Sequence, residues 1–189
     1  MTTYSPNFKQ LRLELSEIFS KAEFELEGPH SLDTLEWVKK IDSNPTEALQ
    51  IAALAHDIDR GIKPMVKREE DETYEDYKER HAKRSAQLIA KLMTKYDYPK
   101  DLLDKTSHLV RNHEIGGDIE TDILMDADSI SFFSCNIDWY YKHKNKDLEE
   151  TKKGIKYKYE RATPRAKKLI KTIEIKNKLL SDLCREIFI

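Results

Sequence analysis

His56 and Asp57 stand side by side at the end of ALQIAALAHDIDRG, residues 48–61, where an apolar helical run should stay buried. His30 and Asp128 share this oddity, each at a helix end or on a face that must otherwise pack. If their helices converge, imidazole and carboxylate donors suit Zn²⁺, Mn²⁺ or Fe better than Ca²⁺, which prefers oxygen alone. His81 and His113, both on inward stripes, would add ligands for a second ion. Asp126 lies two residues before Asp128, and helical position does not choose between them. Adjacent helical residues point about 100° apart, so His56 and Asp57 reach one ion only where the helix ends and the backbone can adjust.

The elements that must position these groups read as helices throughout. Apolar residues recur at helical spacing and glycine is scarce, five in 189 residues, which predicts an all-α fold in one domain, residues 1–189. A first helix is expected from Asn7 to Glu27, broken by EGPHS. A second starts near His30 or Ser31 and buries Leu32, Leu35, Val38 and Ile41. In SNPTEA, Asn44 can cap, Pro45 suits the first helical position and Glu47 completes a capping box, so the third helix delivers His56 and Asp57 at its C-terminal end.

Residues 60–72 form a charged loop with Gly61 and Pro64, a candidate lid. Thr73 to Tyr96 then carries Tyr74, Tyr77, His81, Leu88 and Leu92 on one stripe, and Pro99 to His113 ends at GGD with His113 inward and His108 outward. A short helix through DILMDADSISFF brings the aspartates. The aromatic, lysine-rich stretch 135–160 reads as an excursion of undefined structure, and Thr163 and Pro164 start a final amphipathic helix carrying Leu169 to Ile187.

Composition narrows the function classes. The 33 basic and 35 acidic residues leave a net charge of −2, so no global field recruits nucleic acid or an anionic membrane. The basic runs KKGIKYK and RAKKLIK read as solvated faces. Cys135 and Cys184 match no metal or redox spacing, the N-terminus lacks an apolar signal core, and no run of about 18 apolar residues occurs. A cytoplasmic protein, with no membrane partner, is the expectation.

The order His30, His56–Asp57, His81, His113, Asp128 resembles the HD-domain superfamily of metal-dependent phosphohydrolases, whose pattern is H…HD…H…H…D on a helical core. The resemblance spans roughly residues 28–135, with 136–189 as a C-terminal helical extension. LAHDIDRG matches the family's L-x-H-D-I-G-[KR] stretch, ERHAKRSAQLIAKLM its histidine-headed helix, VRNHE its H-H-E stretch and LMDADSI its A-D-[RK]-[LI] helix. It implies His30, His56, Asp57 and Asp128 as the basic metal set, favouring Asp128 over Asp126, with His81 and His113 as the extra ligands of two-metal members. Three departures stand out: Asp59 replaces the common glycine, Asn112 the first histidine of the pair, and no G-Y-P follows His113, which argues against the cyclic-dinucleotide phosphodiesterase branch.

The resemblance implies hydrolysis of a small phosphoester, a nucleotide among the candidates. One or two divalent ions (Mn, Fe, Zn, Co or Ni, with Mg as a further option) would generate hydroxide from water and polarise the phosphoryl group. Asp57 would bridge the two ions. Arg60 is the candidate phosphate clamp, Arg84 would face the cavity mouth, and Lys63 and Arg111 are weaker candidates. Glu114 is expected to orient a ligating imidazole from behind, and Asp59 to do the same or to transfer a proton. The WYYKH cluster, residues 139–143, is either a base-stacking platform or loop packing, with His143 exposed. Two alternatives stay open: a di-iron oxygenase on the same fold, and a non-catalytic module braced by metal.

Overall fold

In the computed structural model, Ser5 and residues 7–188 are described, and among them every regular element is helical. The order is α1 (Phe8–Ser20), α2 (Glu27–Ile41), α3 (Glu47–Ala55), α4 (Ile58–Gly61), α5 (Tyr74–Lys95), α6 (Lys100–Asn112) and α7 (Ile119–Ser131). One π turn, Phe132–Asn136, joins α7 to α8 (Ile137–His143), and α9 (Leu148–Arg161), α10 (Pro164–Ile170) and α11 (Lys178–Ile187) follow.

The centre of the fold is α3, whose residues Ala48 to Ala55 are all buried, so it can only run through a core. It is surrounded by α1, α2, α6 and α7, while α5 lies on α6. A second apolar cluster gathers Ile130, Phe133, Ile155, Ala166, Ile170 and Leu180 from the C-terminal half. Trp37 and Ile41 of α2 pack against both clusters and join them.

Several expected boundaries move. The α1 helix stops at Ser20, and Glu27, Gly28 and Pro29 open α2 instead of breaking the chain. A first-turn amide has no intrahelical acceptor, so proline costs nothing there. On α2 the inward stripe is His30, Thr34, Leu35 and Val38, which turns Leu32 to solvent. Thr46, not Asn44, caps α3: its side chain accepts from Leu49 N and donates to Glu120 of α7 at 2.6 Å. Pro45 therefore precedes the cap, and Glu47 binds Ser5 instead of closing a capping box.

The loop shortens at its start because residues 58–61 form α4. Residues 137–161 are two helices, not an undefined excursion, and their hidden stripe of Thr151, Ile155 and Tyr159 packs α9 into the second cluster. The final helix is two, α10 and α11, separated by residues 171–177. GGD does stop its helix, with Gly116 and Gly117 both at positive φ. Trp139 stacks on His143 of its own helix and meets Phe24 edge-on, so WYYKH packs the turn before α2 onto α8, while His143 stays exposed.

Because α9 docks through Ile155, which is fully buried, truncating Ile155→Ala should cost about 2–5 kcal/mol in chemical denaturation. Lys156→Ala, one residue on and exposed, should stay within about 0.5 kcal/mol of the wild type.

Candidate metal centre

Five helical segments deliver the predicted donors, and Glu114 with them, to one buried place. His30 comes from the first turns of α2, His56 from the C-cap of α3, and Asp57 from the joint before α4. His81 lies on α5, His113 and Glu114 follow α6, and Asp128 lies on α7. None is more than 7% exposed. At the α3–α4 joint Asp57 leaves helical geometry, with φ −103° and ψ 21°, and this lets neighbours His56 and Asp57 aim at the same space.

Each imidazole is anchored through Nδ1. His56 Nδ1 lies 3.0 Å from Ala53 O, His113 Nδ1 2.7 Å from Val110 O, His30 Nδ1 2.9 Å from Ser131 Oγ, and His81 Nδ1 3.0 Å from Asp59 Oδ2. The carbonyls and the carboxylate are acceptors, so Nδ1 carries the proton at His56, His81 and His113. Nε2 is then the nitrogen left for a ligand.

The Nε2 atoms converge in two groups, within each of which the donor atoms lie no more than 4.8 Å apart. In the first, His30 Nε2 is 3.2 Å from His56 Nε2 and 3.1 Å from Asp128 Oδ1. In the second, His81 Nε2 is 2.7 Å from Asp57 Oδ1 and His113 Nε2 is 3.2 Å from Glu114 Oε1. Asp57 touches both groups, since its Oδ2 lies 3.7 Å from His56 Nε2.

Such a set fits a cation. His113 Nε2 is buried and forms no hydrogen bond, although a carboxylate oxygen faces it. Lone pairs facing one another in a buried space repel unless a proton or metal ion lies among them. Imidazole and carboxylate donors select a divalent transition ion.

The electrostatics agree. Burial lowers the His56 pKa to about 3, keeping its ring neutral and its Nε2 available. Burial would raise Asp57, but the Arg60 guanidinium, His56 and His81 hold it well below the usual carboxylate range. Burial is likewise outweighed at Glu114 by Lys78 and Arg161, and at Asp128 by Lys158 and Arg161. At His81 burial disfavours the charge, yet hydrogen bonds to Asp57 and Asp59 raise its pKa, so a proton and a metal ion compete for its Nε2.

The remaining sequence candidates divide sharply. Arg60 is at the centre, 3.0 Å from Asp57 Oδ2 and 3.3 Å from Glu27 Oε1. Asp59 lies behind His81 and also accepts from Val66 N and Arg84, which makes it an orienting group. Arg84 is therefore spent on Asp59 and the Ile62 carbonyl, and the groove it lines with Val66, Arg80 and Lys83 contains no donor of the cluster. Lys63 sits outside, 68% exposed near Glu23, beside a 720 Å³ groove that contains no donor of the cluster. Arg111 pairs with Glu79, and both line a cavity that Lys78 and Glu114 also reach. Glu114 stands on the Nε2 side of His113, not behind it, so it joins the donors. Asp126 is buried but turned to α10, accepting from the Thr163 amide at 2.9 Å and its hydroxyl at 2.6 Å.

Sequence reasoning missed four residues here. Lys78 contacts Glu114, Lys158 contacts Asp128 at 2.8 Å, Arg161 spans Asp128 and Glu114, and the Tyr157 hydroxyl lies 3.4 Å from Glu114. Lys158 thus belongs to the centre, contrary to the reading of KKGIKYK as a solvated face. The signal was present: Lys78 and Lys158 fall on the stripes of His81 and of Thr151 and Ile155, three or four residues apart. Burial and the neighbouring Arg161 lower the Lys158 pKa to about 8.

Residues 16–182 match the family model DUF4202, a domain of unknown function. The chain belongs to the DUF4202 family. No curated protein and no solved structure matches it. The DUF4202 match covers every donor of the centre and the α9 cations with it.

Two measurements check this centre. Asp128→Asn should lower the metal content of the loaded protein by about one ion per chain, whereas Asp126→Asn should lower thermal stability and leave metal content intact, both read by elemental analysis. The second concerns pH: an ion in the second group must displace the His81 proton. Affinity there should fall on acidification, because hydrogen bonds to Asp57 and Asp59 favour the protonated His81 ring, while His56 stays neutral to about 3. Titrating metal release against pH should show one ion leaving before the other.

Proposed function

We propose that this DUF4202 protein is a metal-dependent phosphohydrolase of the HD-domain type, acting on a small phosphoester. One observation carries the reading: four imidazoles, each tethered at Nδ1, turn Nε2 toward buried carboxylates, three of them toward Asp57 and His30 toward Asp128, inside a ring of four basic side chains. Ions held there supply Lewis acidity for the phosphoryl group and make water a better nucleophile at neutral pH.

The chain's own residues have distinct tasks. Arg60, ion-paired with Asp57 and still 25% exposed, offers its remaining donors to a non-bridging phosphoryl oxygen. Asp59 fixes the His81 ring and its tautomer. Beside the centre a cavity of 390 Å³ is lined by Lys78, Glu114, Tyr157, Ala82, Asn112 and Ile115, with Glu75, Asp76, Glu79 and Arg111 around them. Its size and partly apolar walls suit the organic part of a small ester.

Burial of every donor limits water at the reacting atoms and strengthens the charges around them. Cys135 and Cys184 are both free, and burial raises the Cys184 thiol to about 12, which fits a reducing compartment such as the cytoplasm. No helix among the described residues is long and apolar enough to cross a membrane.

The test is to strip the protein with chelator, reload it with Mn²⁺, Fe²⁺, Co²⁺, Ni²⁺ or Zn²⁺, and follow phosphate release from chromogenic and nucleotide phosphoesters. Turnover should return with metal, and Arg60→Ala should cut kcat/KM about 10²–10³-fold with metal content retained. A loaded protein that releases no phosphate but consumes dioxygen with iron bound would replace this reading with an oxygenase. Full metal occupancy with neither reaction would leave a binding module.

A further inference from the structure

Outside the metal centre, α5 carries a second concentration of charge. Arg80, Lys83, Arg84 and Lys91 line a groove of 430 Å³, and no acidic side chain lines it with them. Along the helix Lys83 follows Arg80 by three residues and Arg84 follows it by four, spacings at which like charges destabilise a helix. Lys83 and Lys91 are exposed, so core packing does not place them there.

The four cations are not equally committed. Arg80 is paired with Glu69 and Glu72, and Arg84 with Asp59 and the Ile62 carbonyl, so both are fixed and their charges are balanced. Lys83 and Lys91 form no ion pair among the described residues, which leaves the groove two uncompensated positive charges. These two lysines are separated by a rise of about 12 Å along the helix axis. Carboxylates close both ends: Glu69 and Glu72 stand at the Arg80 end, and Glu14 pairs with Lys95, one turn beyond Lys91.

We propose that this groove is a binding site for a short chain of phosphates, an inorganic or nucleoside polyphosphate, separate from the metal centre. A single phosphate would draw two ammonium groups onto one point. A chain places a charge beside each, with the Gln87 amide between them to donate to a phosphoryl oxygen. Arg80 and Arg84 are still 42% and 26% exposed and keep guanidinium donors at the walls. Val66 and Leu88 offer apolar surface to the organic part of a nucleotide. A nucleic-acid strand fits less well, because it would run past the groove onto Glu69 or Glu14, and the net charge of −2 adds no attraction.

Calorimetric titration of the full-length protein with tripolyphosphate and with orthophosphate, at low ionic strength, tests the site. Tripolyphosphate should bind at least about 10-fold more tightly than orthophosphate. Its affinity should survive chelation of bound metal, because the groove contains no donor of the cluster. Lys83→Gln and Lys91→Gln should each weaken it about 5–10-fold, whereas Lys9→Gln, which removes an exposed lysine of α1, should leave it within about twofold. All three side chains are exposed, so thermal melting should be unchanged and lost binding is not lost folding. Adenosine triphosphate bound no more tightly than tripolyphosphate marks the phosphate chain alone as the ligand, and tighter binding adds the organic group against Val66 and Leu88; either result supports the site. Equal binding of tripolyphosphate and orthophosphate, loss of binding on chelation, or the same loss in Lys9→Gln as in Lys83→Gln would overturn the proposal.

Discussion

Four imidazoles and three carboxylates cannot be buried against one another unless positive charge lies among them. That constraint explains why these helices meet as they do. The Nδ1 tethers are local for His56 and His113, each to a carbonyl three residues earlier, so two rings are aimed by their own helix ends. The other two are aimed across the fold, His30 by Ser131 of α7 and His81 by Asp59 of α4. A centre assembled this way holds its geometry only while α2, α4, α5 and α7 stay packed, which ties donor placement to the core around α3.

The outer layer of charge answers the same constraint from the other side. Carboxylates this deep are costly alone, and Lys78, Lys158 and Arg161 hold Asp128 and Glu114 in their charged forms. Two of these three cations ride on α9, which docks through the second apolar cluster. The C-terminal half is therefore a wall of the centre, and its hydrophobic packing has a direct electrostatic consequence.

Much of this was legible in the residues. The stripes of α5 and α6 placed His81 and His113 inward because both helices are long and their period is strong, and the order of residues along the chain pointed to His30, His56 and Asp57 beside them, with Asp128 favoured over Asp126 by the family resemblance. Choosing between Asp126 and Asp128 was beyond spacing, since both are fully buried; only the position of α10, where Thr163 claims Asp126, separates them. Arg84 and Lys63 were misplaced because a cation near a motif can face either side, and the Asp59 that replaced a glycine captured Arg84. The α9 cations were hidden by composition. In a chain with 33 basic residues a lysine run reads as solvated until the buried stripe beneath it is seen.

Anomalous diffraction from crystals of the metal-loaded protein tests the central claim most directly. Two peaks are predicted, one on each side of the Asp57 carboxylate, one within about 2.0–2.3 Å of the Nε2 atoms of His30 and His56 and the other of those of His81 and His113. Metal bound elsewhere, or Nε2 atoms that stay unligated at full occupancy, would contradict the account.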